Sequence, residues 1–151
     1  MYLEKILESK RLTVGELANG AAERQTRIRH ARPPRNFAGA LSRPGMSLIA
    51  EIKPRSPSCG AFGRAAEPLN LAIEYQASGA SAVSVLADRE FFGGGPELVE
   101  RVANHRCIGI PILYKDFVID PQQVLEARAC GADAVLLIAR AVEPELLREL
   151  V

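Results

Sequence analysis

The apolar positions of this chain fall into two alternating patterns. Short unbroken runs occupy residues 48–50, 82–87, 110–113 and 134–139. Runs of this length and continuity predict parallel strands buried on both faces. Between them lie helical stripes: Leu69, Ala72, Ile73 and Ala77; Leu98, Val99 and Val102; Val124, Leu125 and Ala129; Leu146, Leu147 and Leu150. Punctuation supports these helices. Pro68, Pro96, Pro121 and Pro144 stand where a helix begins. Asp120 is placed to cap the helix opened by Pro121. Gly79 and Gly131 stand where a helix stops and the chain turns left-handed. Upstream, Leu3, Ile6 and Leu7 predict a short amphipathic helix, and Val14, Leu17 and Ile28 a weaker second one.

The resulting order, helices and then βαβαβαβ, implies a parallel sheet with right-handed crossovers. Gly79-Ala-Ser-Ala-Val83 and Gly131-Ala-Asp-Ala-Val135 repeat each other two βα units apart. A repeated βα unit favours a (β/α) barrel over an irregular sheet. The expected division is a helical extension and arm over residues 1–46, and about the first half of a barrel, four strands, over 47–151.

Composition excludes more than it suggests. With 48% hydrophobic residues among 151, the chain can bury a sizeable core. A net charge of +1 gives no global field for nucleic acid or a membrane surface. The opening MYLEKILESKR is too charged for a signal peptide, and no apolar stretch nears the ~20 residues of a membrane span. A soluble, cytoplasmic protein is expected. Cys59, Cys107 and Cys130 form no CxxC and no metal-like pairing with His30 or His105, so they read as buried or half-buried thiols. Six arginines between Arg24 and Arg43, broken by prolines, allow a nucleic-acid patch or a solvated arm across the domain. The arm is the preferred reading, because Phe37 is the single interleaved aromatic. Leu41 and Met46 are its expected anchors. Gly93-Gly94-Gly95 lacks the GxGxxG spacing of a dinucleotide loop.

The polar residues that do not fit a buried sheet all fall at C-terminal strand ends, the functional face of a barrel. In SLIAEIKPRSPSCG, Glu51 and Lys53 are two residues apart and share a strand face. A rigid turn follows them, and residues 60–64 are read as loop. Lys115 and Asp116 end the third strand, and Asp88 ends the second. Strand-end aspartates commonly cap loops or pair with helices, the role expected of Asp88 and Asp116. Two lysines in one apolar mouth suit proton donation and anion binding, with a carboxylate holding them charged.

LIAEIKPRSPSCG, SVLADREFFGGG and ILYKDFVIDPQQVLEARACGADAVLLIARAV, with the opening MYLEKILESKR, resemble indole-3-glycerol phosphate synthase. The likeness runs over nearly the whole chain, in family order and spacing. It implies a TIM (β/α)8-barrel and a lyase of tryptophan biosynthesis that acts without metal or organic cofactor. The reaction closes the indole ring of an anthranilate-linked deoxyribulose phosphate, losing carbon dioxide and water. By resemblance, Lys115 is the general acid at the ribulose carbonyl. Lys53 anchors substrate and assists proton transfer in dehydration, and Glu51 is its charged partner. Ser56 and Pro57 shape the loop over the substrate. Phe92, Phe117 and Leu136 line the anthranilate pocket. The first helix matches a segment able to cover the mouth of the site.

A complete barrel has eight units and about 250 residues. This chain is expected to stop in the helix after strand four, without the family's remaining carboxylates, asparagine and phosphate-binding backbone. Little or no activity alone is therefore expected. The alternative is a non-catalytic half-barrel that binds phosphate-bearing ligands. Either form would offer open sheet edges for self-association or for pairing with a complementary half.

Overall fold

The computed structural model describes residues 2–56, 60, 61 and 67–151. Pro57, Ser58, Cys59 and most of the expected loop at 60–64 lie outside the described residues. Three helices lead: α1 (Tyr2–Leu17), α2 (Ala21–His30) and α3 (Phe37–Leu41). Then follow β1 (Ile49–Ile52), β2 (Arg55–Ser56), β3 (Gly60–Ala61), α4 (Pro68–Ala77), β4 (Ala82–Leu86), α5 (Pro96–Ala103), β5 (Ile112–Lys115), α6 (Pro121–Ala129), β6 (Ala134–Val135) and α7 (Pro144–Leu150). All four anticipated helix-opening prolines sit in the first turn of their helices. The Asp120 carboxylate accepts the Gln122 N–H at 2.8 Å.

Among the described residues, β1, β4, β5 and β6 form one parallel sheet in that order. This is the (β/α) alternation of a partial barrel. One sheet face carries Ile52, Val83, Val85, Ile112 and Tyr114, which pack with Ala72, Val99, Val102, Ala127 and Cys130 of α4, α5 and α6 into the main core. The period of two sends Glu51, Ser84, Leu86, Leu113 and Lys115 to the other face. Register sets Glu51 beside Ser84, Ser84 beside Leu113, and Leu86 beside Lys115.

The repeated Gly-Ala-x-Ala-Val segments do equivalent work. Gly79 and Gly131 take φ of +90° and +86°, where a side chain would be strained. The Ser81 N–H then donates to the Leu48 carbonyl at 2.8 Å, and the Ser81 hydroxyl accepts the Leu48 N–H. The Asp133 N–H donates to the Ile112 carbonyl at 2.9 Å, while the Asp133 carboxylate accepts the Ile112 N–H at 2.8 Å. Each repeat thus grips the start of the strand beside it.

Several expectations are corrected. The first helix is 16 residues long and takes in Val14 and Leu17, expected in a second helix, because buried Lys10 continues its inward stripe past Leu7. The third strand starts after Pro111, whose missing N–H suits the position before a ladder. The fourth strand stops at Val135, where its ladder with β5 ends. Gly60 and Ala61 are not loop but pair antiparallel with Ser56 and Arg55. Met46 anchors nothing: it is 99% exposed. Cys107 is exposed, whereas Cys130 is buried.

The arginine-rich segment is docked rather than solvated. Arg24 is buried and reaches Gln122 and Glu126; Arg27 reaches Glu126, Glu100 and the Cys130 sulfur. The ascending order of these partners means α2 runs alongside α6 in the same direction. Beyond α2, Arg32 and Arg35 both pair with Asp133, at 2.7 and 3.1 Å, and the Asp133 side chain is 0% exposed. Burial raises the pKa of that carboxyl, but hydrogen bonds from Arg32, Arg35 and Ile112 outweigh burial and hold it below its ordinary value.

Candidate active site

The strand ends bring three of the anticipated residues together. The Glu51 carboxylate accepts Lys53 Nζ at 3.0 Å through one oxygen and faces Lys115 Nζ at 3.4 Å through the other. All three side chains are about one-third exposed, at 32–34%, so the trio is open to a ligand yet partly desolvated. The Ser84 hydroxyl donates to Glu51 at 3.3 Å, steadying the carboxylate from the adjacent strand. Burial pushes the Glu51 pKa up; the two ammonium groups outweigh it, and the net direction is down. One carboxylate between two cations leaves a net positive wall, suited to phosphate or carboxylate. Either ammonium group can donate a proton to an oxygen presented at the mouth.

Phe92 and Phe117 meet near this wall. Their rings lie 6.2 Å apart at an interplanar angle of 29°, an offset stack. Both are half-buried, as is Leu136, which continues the alternation of β6 and donates its N–H to the Tyr114 carbonyl at 3.2 Å. Apolar surface at the strand ends that bear a cationic wall suits an aromatic ring carrying anionic groups. Ser56 is buried in the β2–β3 hairpin. The Arg55 N–H next to it donates to the Phe92 carbonyl at 3.1 Å, tying the hairpin to the loop after β4. Pro57 falls outside the described residues.

Asp88 and Asp116 do what strand-end aspartates commonly do. Asp88 accepts the Phe91 and Phe92 N–H groups at 2.6 and 3.1 Å, and Asp116 accepts the Phe117 N–H at 2.8 Å. What sequence reasoning missed is their shared partner. Lys10 of α1 is buried and contacts Asp88 at 2.9 Å and Asp116 at 2.7 Å. The signal was present: Lys10 continues the stripe Leu3, Ile6, Leu7, so it belongs on the buried side of the helix. Burial, with Asp88 nearby, raises the Asp116 pKa even though Lys10 pulls it down. Behind these aspartates lies a cavity of about 490 Å³, lined by Lys10, Asp88, Tyr114, Asp116 and Glu126 among others. It includes none of Glu51, Lys53 and Lys115, so it is separate from the wall they form.

Gly94 explains part of the glycine run. A Cβ there would overlap the Leu86 carbonyl oxygen, so the run lets the loop return close over β4. Among the described residues, no cluster of His, Cys, Asp and Glu is placed to hold a metal ion. None of the described helices is long and apolar enough to cross a membrane.

Known proteins of one family match this chain. The family model described as indole-3-glycerol phosphate synthase matches residues 3–151. A protein of that name from Chlorobium chlorochromatii is 42% identical over 153 residues, covering 98% of this chain and 59% of the relative. Indole-3-glycerol phosphate synthase 2 of Streptomyces coelicolor is 51% identical over 126 residues, covering 83% and 48%. The Parafrankia protein of the same family name is 47% identical over 148 residues, covering 96% and 54%. The chain spans about half the length of these curated relatives, 48–59%. Four parallel strands in βα order, a charged trio at their C-terminal ends and a family match over residues 3–151 agree, and the chain belongs to the indole-3-glycerol phosphate synthase family.

Proposed function

We propose that this chain supplies one wall of a site that converts 1-(2-carboxyphenylamino)-1-deoxyribulose 5-phosphate to indole-3-glycerol phosphate. The observation that carries the reading is the Glu51 carboxylate shared by Lys53 and Lys115 beside the Phe92–Phe117 stack. The substrate is a phosphorylated small molecule with a carboxylated aromatic ring at one end. The slot of Phe92, Phe117 and Leu136 receives the ring, and Lys53 anchors an anionic group. Lys115 gives its proton to the ribulose carbonyl oxygen as the aromatic carbon attacks the carbonyl carbon. Loss of carbon dioxide restores the aromatic electrons, and loss of the new hydroxyl as water completes the indole. Glu51 orients both lysines through its two oxygens, Lys53 assists the dehydration, and Ser56 and Pro57 shape the covering loop. No cofactor is required for these steps.

Residues 1–46 act as the helical extension and arm, and 47–151 as the half-barrel that bears the wall. A cytoplasmic setting suits a phosphorylated biosynthetic substrate. The test is turnover of the carboxyphenylamino substrate, followed by indole fluorescence. With the chain joined to the strands that close the barrel, Lys115→Met is expected to slow ring closure by roughly 10²–10⁴-fold. An unchanged rate removes the general-acid role. The 151-residue chain alone is expected to turn over far more slowly than the closed barrel. An equal rate would show that the wall described here suffices.

A second reading rests on a different observation. Leu48 is 57% and Ile49 39% exposed along β1, which pairs on one side only among the described residues. Such an edge takes up another strand readily, from a second copy or from a complementary half-barrel. Without closure, the cationic wall would bind phosphate-bearing ligands and leave them unchanged.

A further inference from the structure

Two loops must hold still if Phe92 and Phe117 are to offer one apolar surface to an aromatic ring. The loop after β4 carries Phe92, and the turn after β5 carries Phe117 directly beyond Lys115 and Asp116. Their backbones are fixed by carboxylates: Asp88 accepts the Phe91 and Phe92 N–H groups, and Asp116 accepts the Phe117 N–H. Each carboxylate leans on Lys10, at 2.9 and 2.7 Å, with a second contact to Asp116 at 3.0 Å. The three side chains are 2–6% exposed, so water does little to satisfy them. The network also reaches the hairpin, because the Phe92 carbonyl accepts the Arg55 N–H beside Ser56. Ser9, one residue before Lys10, donates to Glu90 in the same loop.

We infer that Lys10 is a positioning residue: one buried ammonium of α1 sets the spacing of the Phe92 and Phe117 rings and the direction of Lys115. The inference rests on the proposed ring-closure reading for its purpose, but its geometry is independent of it. One cation bridging two buried carboxylates is a switch-like support. Remove it, and two like charges face each other without compensation, so at least one must take up a proton or swing out to water. Either response lengthens its bonds to the phenylalanine amides. α1 would thereby govern the site without any atom touching the substrate.

Amide hydrogen exchange on the full chain, read by NMR, tests this separately from turnover. In Lys10→Met, exchange at Phe91, Phe92 and Phe117 is expected to rise by about tenfold or more, through local opening, beyond any change at Val83 and Val85 of β4. The control is Val102→Ala, which opens the main core at a residue outside the Lys10–Asp88–Asp116 network. It should raise exchange in proportion to lost global stability, with no excess at the three phenylalanines. Equal patterns in the two variants overturn the inference. Should Lys10→Met fail to fold, Asp88→Asn keeps an oxygen acceptor but removes one charge. It should speed exchange at Phe91 and Phe92 and leave Phe117 protected by Asp116; equal acceleration at all three overturns the inference. In the closed barrel, Lys10→Met should lower kcat with a smaller change in KM, and a change in KM alone would count against it. Loss of turnover in the unmodified closed barrel would instead refute the proposed reaction and leave the exchange result standing.

Discussion

Glu51 shows how much one residue can say. A strand of period two put Glu51 and Lys53 on one face, and parallel strands ending at one level brought Lys115 to the same carboxylate. Those relations are legible in sequence because strand geometry is rigid. Lys10, Arg24 and Arg32 were not legible in their roles, because the side chains and carbonyls they reach in the barrel lie 71 or more residues away and are chosen by helix docking. The Glu51 carboxyl gives a pH prediction. Its folded pKa is depressed below the ordinary 4.5, so its share of stability is present above that value and is lost as pH falls through the folded pKa. Carboxyl-carbon NMR should find a midpoint below 4.5, and Glu51→Gln should flatten stability in that acid window. Asp116 has the opposite sign. Its raised folded pKa means that protonation favours the folded chain as pH falls through it, and Asp116→Asn should remove that gain. A midpoint for Asp116 at or below 3.8 would contradict this.

Among elements, helix boundaries were readable because proline, aspartate and glycine act locally through φ and missing or supplied hydrogen bonds. Strand lengths were less so. β6 stops at two residues although residues 134–139 are apolar, because strand length is set by the extent of the ladder with β5 and not by apolar character. The arm was misread as solvated since nothing local marks Asp133 as its target. Docking of that arm predicts a large stability effect. Asp133→Ala leaves Arg32 and Arg35 without their carboxylate and the Ile112 N–H without an acceptor, so a loss of about 3–5 kcal/mol is expected by urea denaturation. A loss under about 1 kcal/mol would place the pair among weak surface bridges. Gly94→Ala should cost about 1–3 kcal/mol through the clash with Leu86, and mostly in the loop after β4. Circular dichroism melts of the two variants give the comparison.

For the whole molecule, the alternation of strand and helix was enough to read a partial barrel, and the family match over residues 3–151 agrees. Open sheet edges follow already from four strands of a barrel, and the strand order identifies β1 as one of them among the described residues. The exposed Leu48 and Ile49 and the one-sided pairing of β1 lead to an expectation of assemblies in sedimentation velocity at micromolar concentration. A single monomeric boundary would set that aside. The Cys130 thiol, buried beneath Arg27 at the seam of α2 and α6, has a further use. Burial pushes its pKa up to about 12, so at pH 8 only about one thiol in ten thousand is thiolate. Exposed Cys107 should react with iodoacetamide at once, whereas Cys130 should be modified as α2 peels from α6. A timed pulse of alkylating reagent, read by peptide mass, would therefore clock the undocking of the N-terminal helices without any engineered probe.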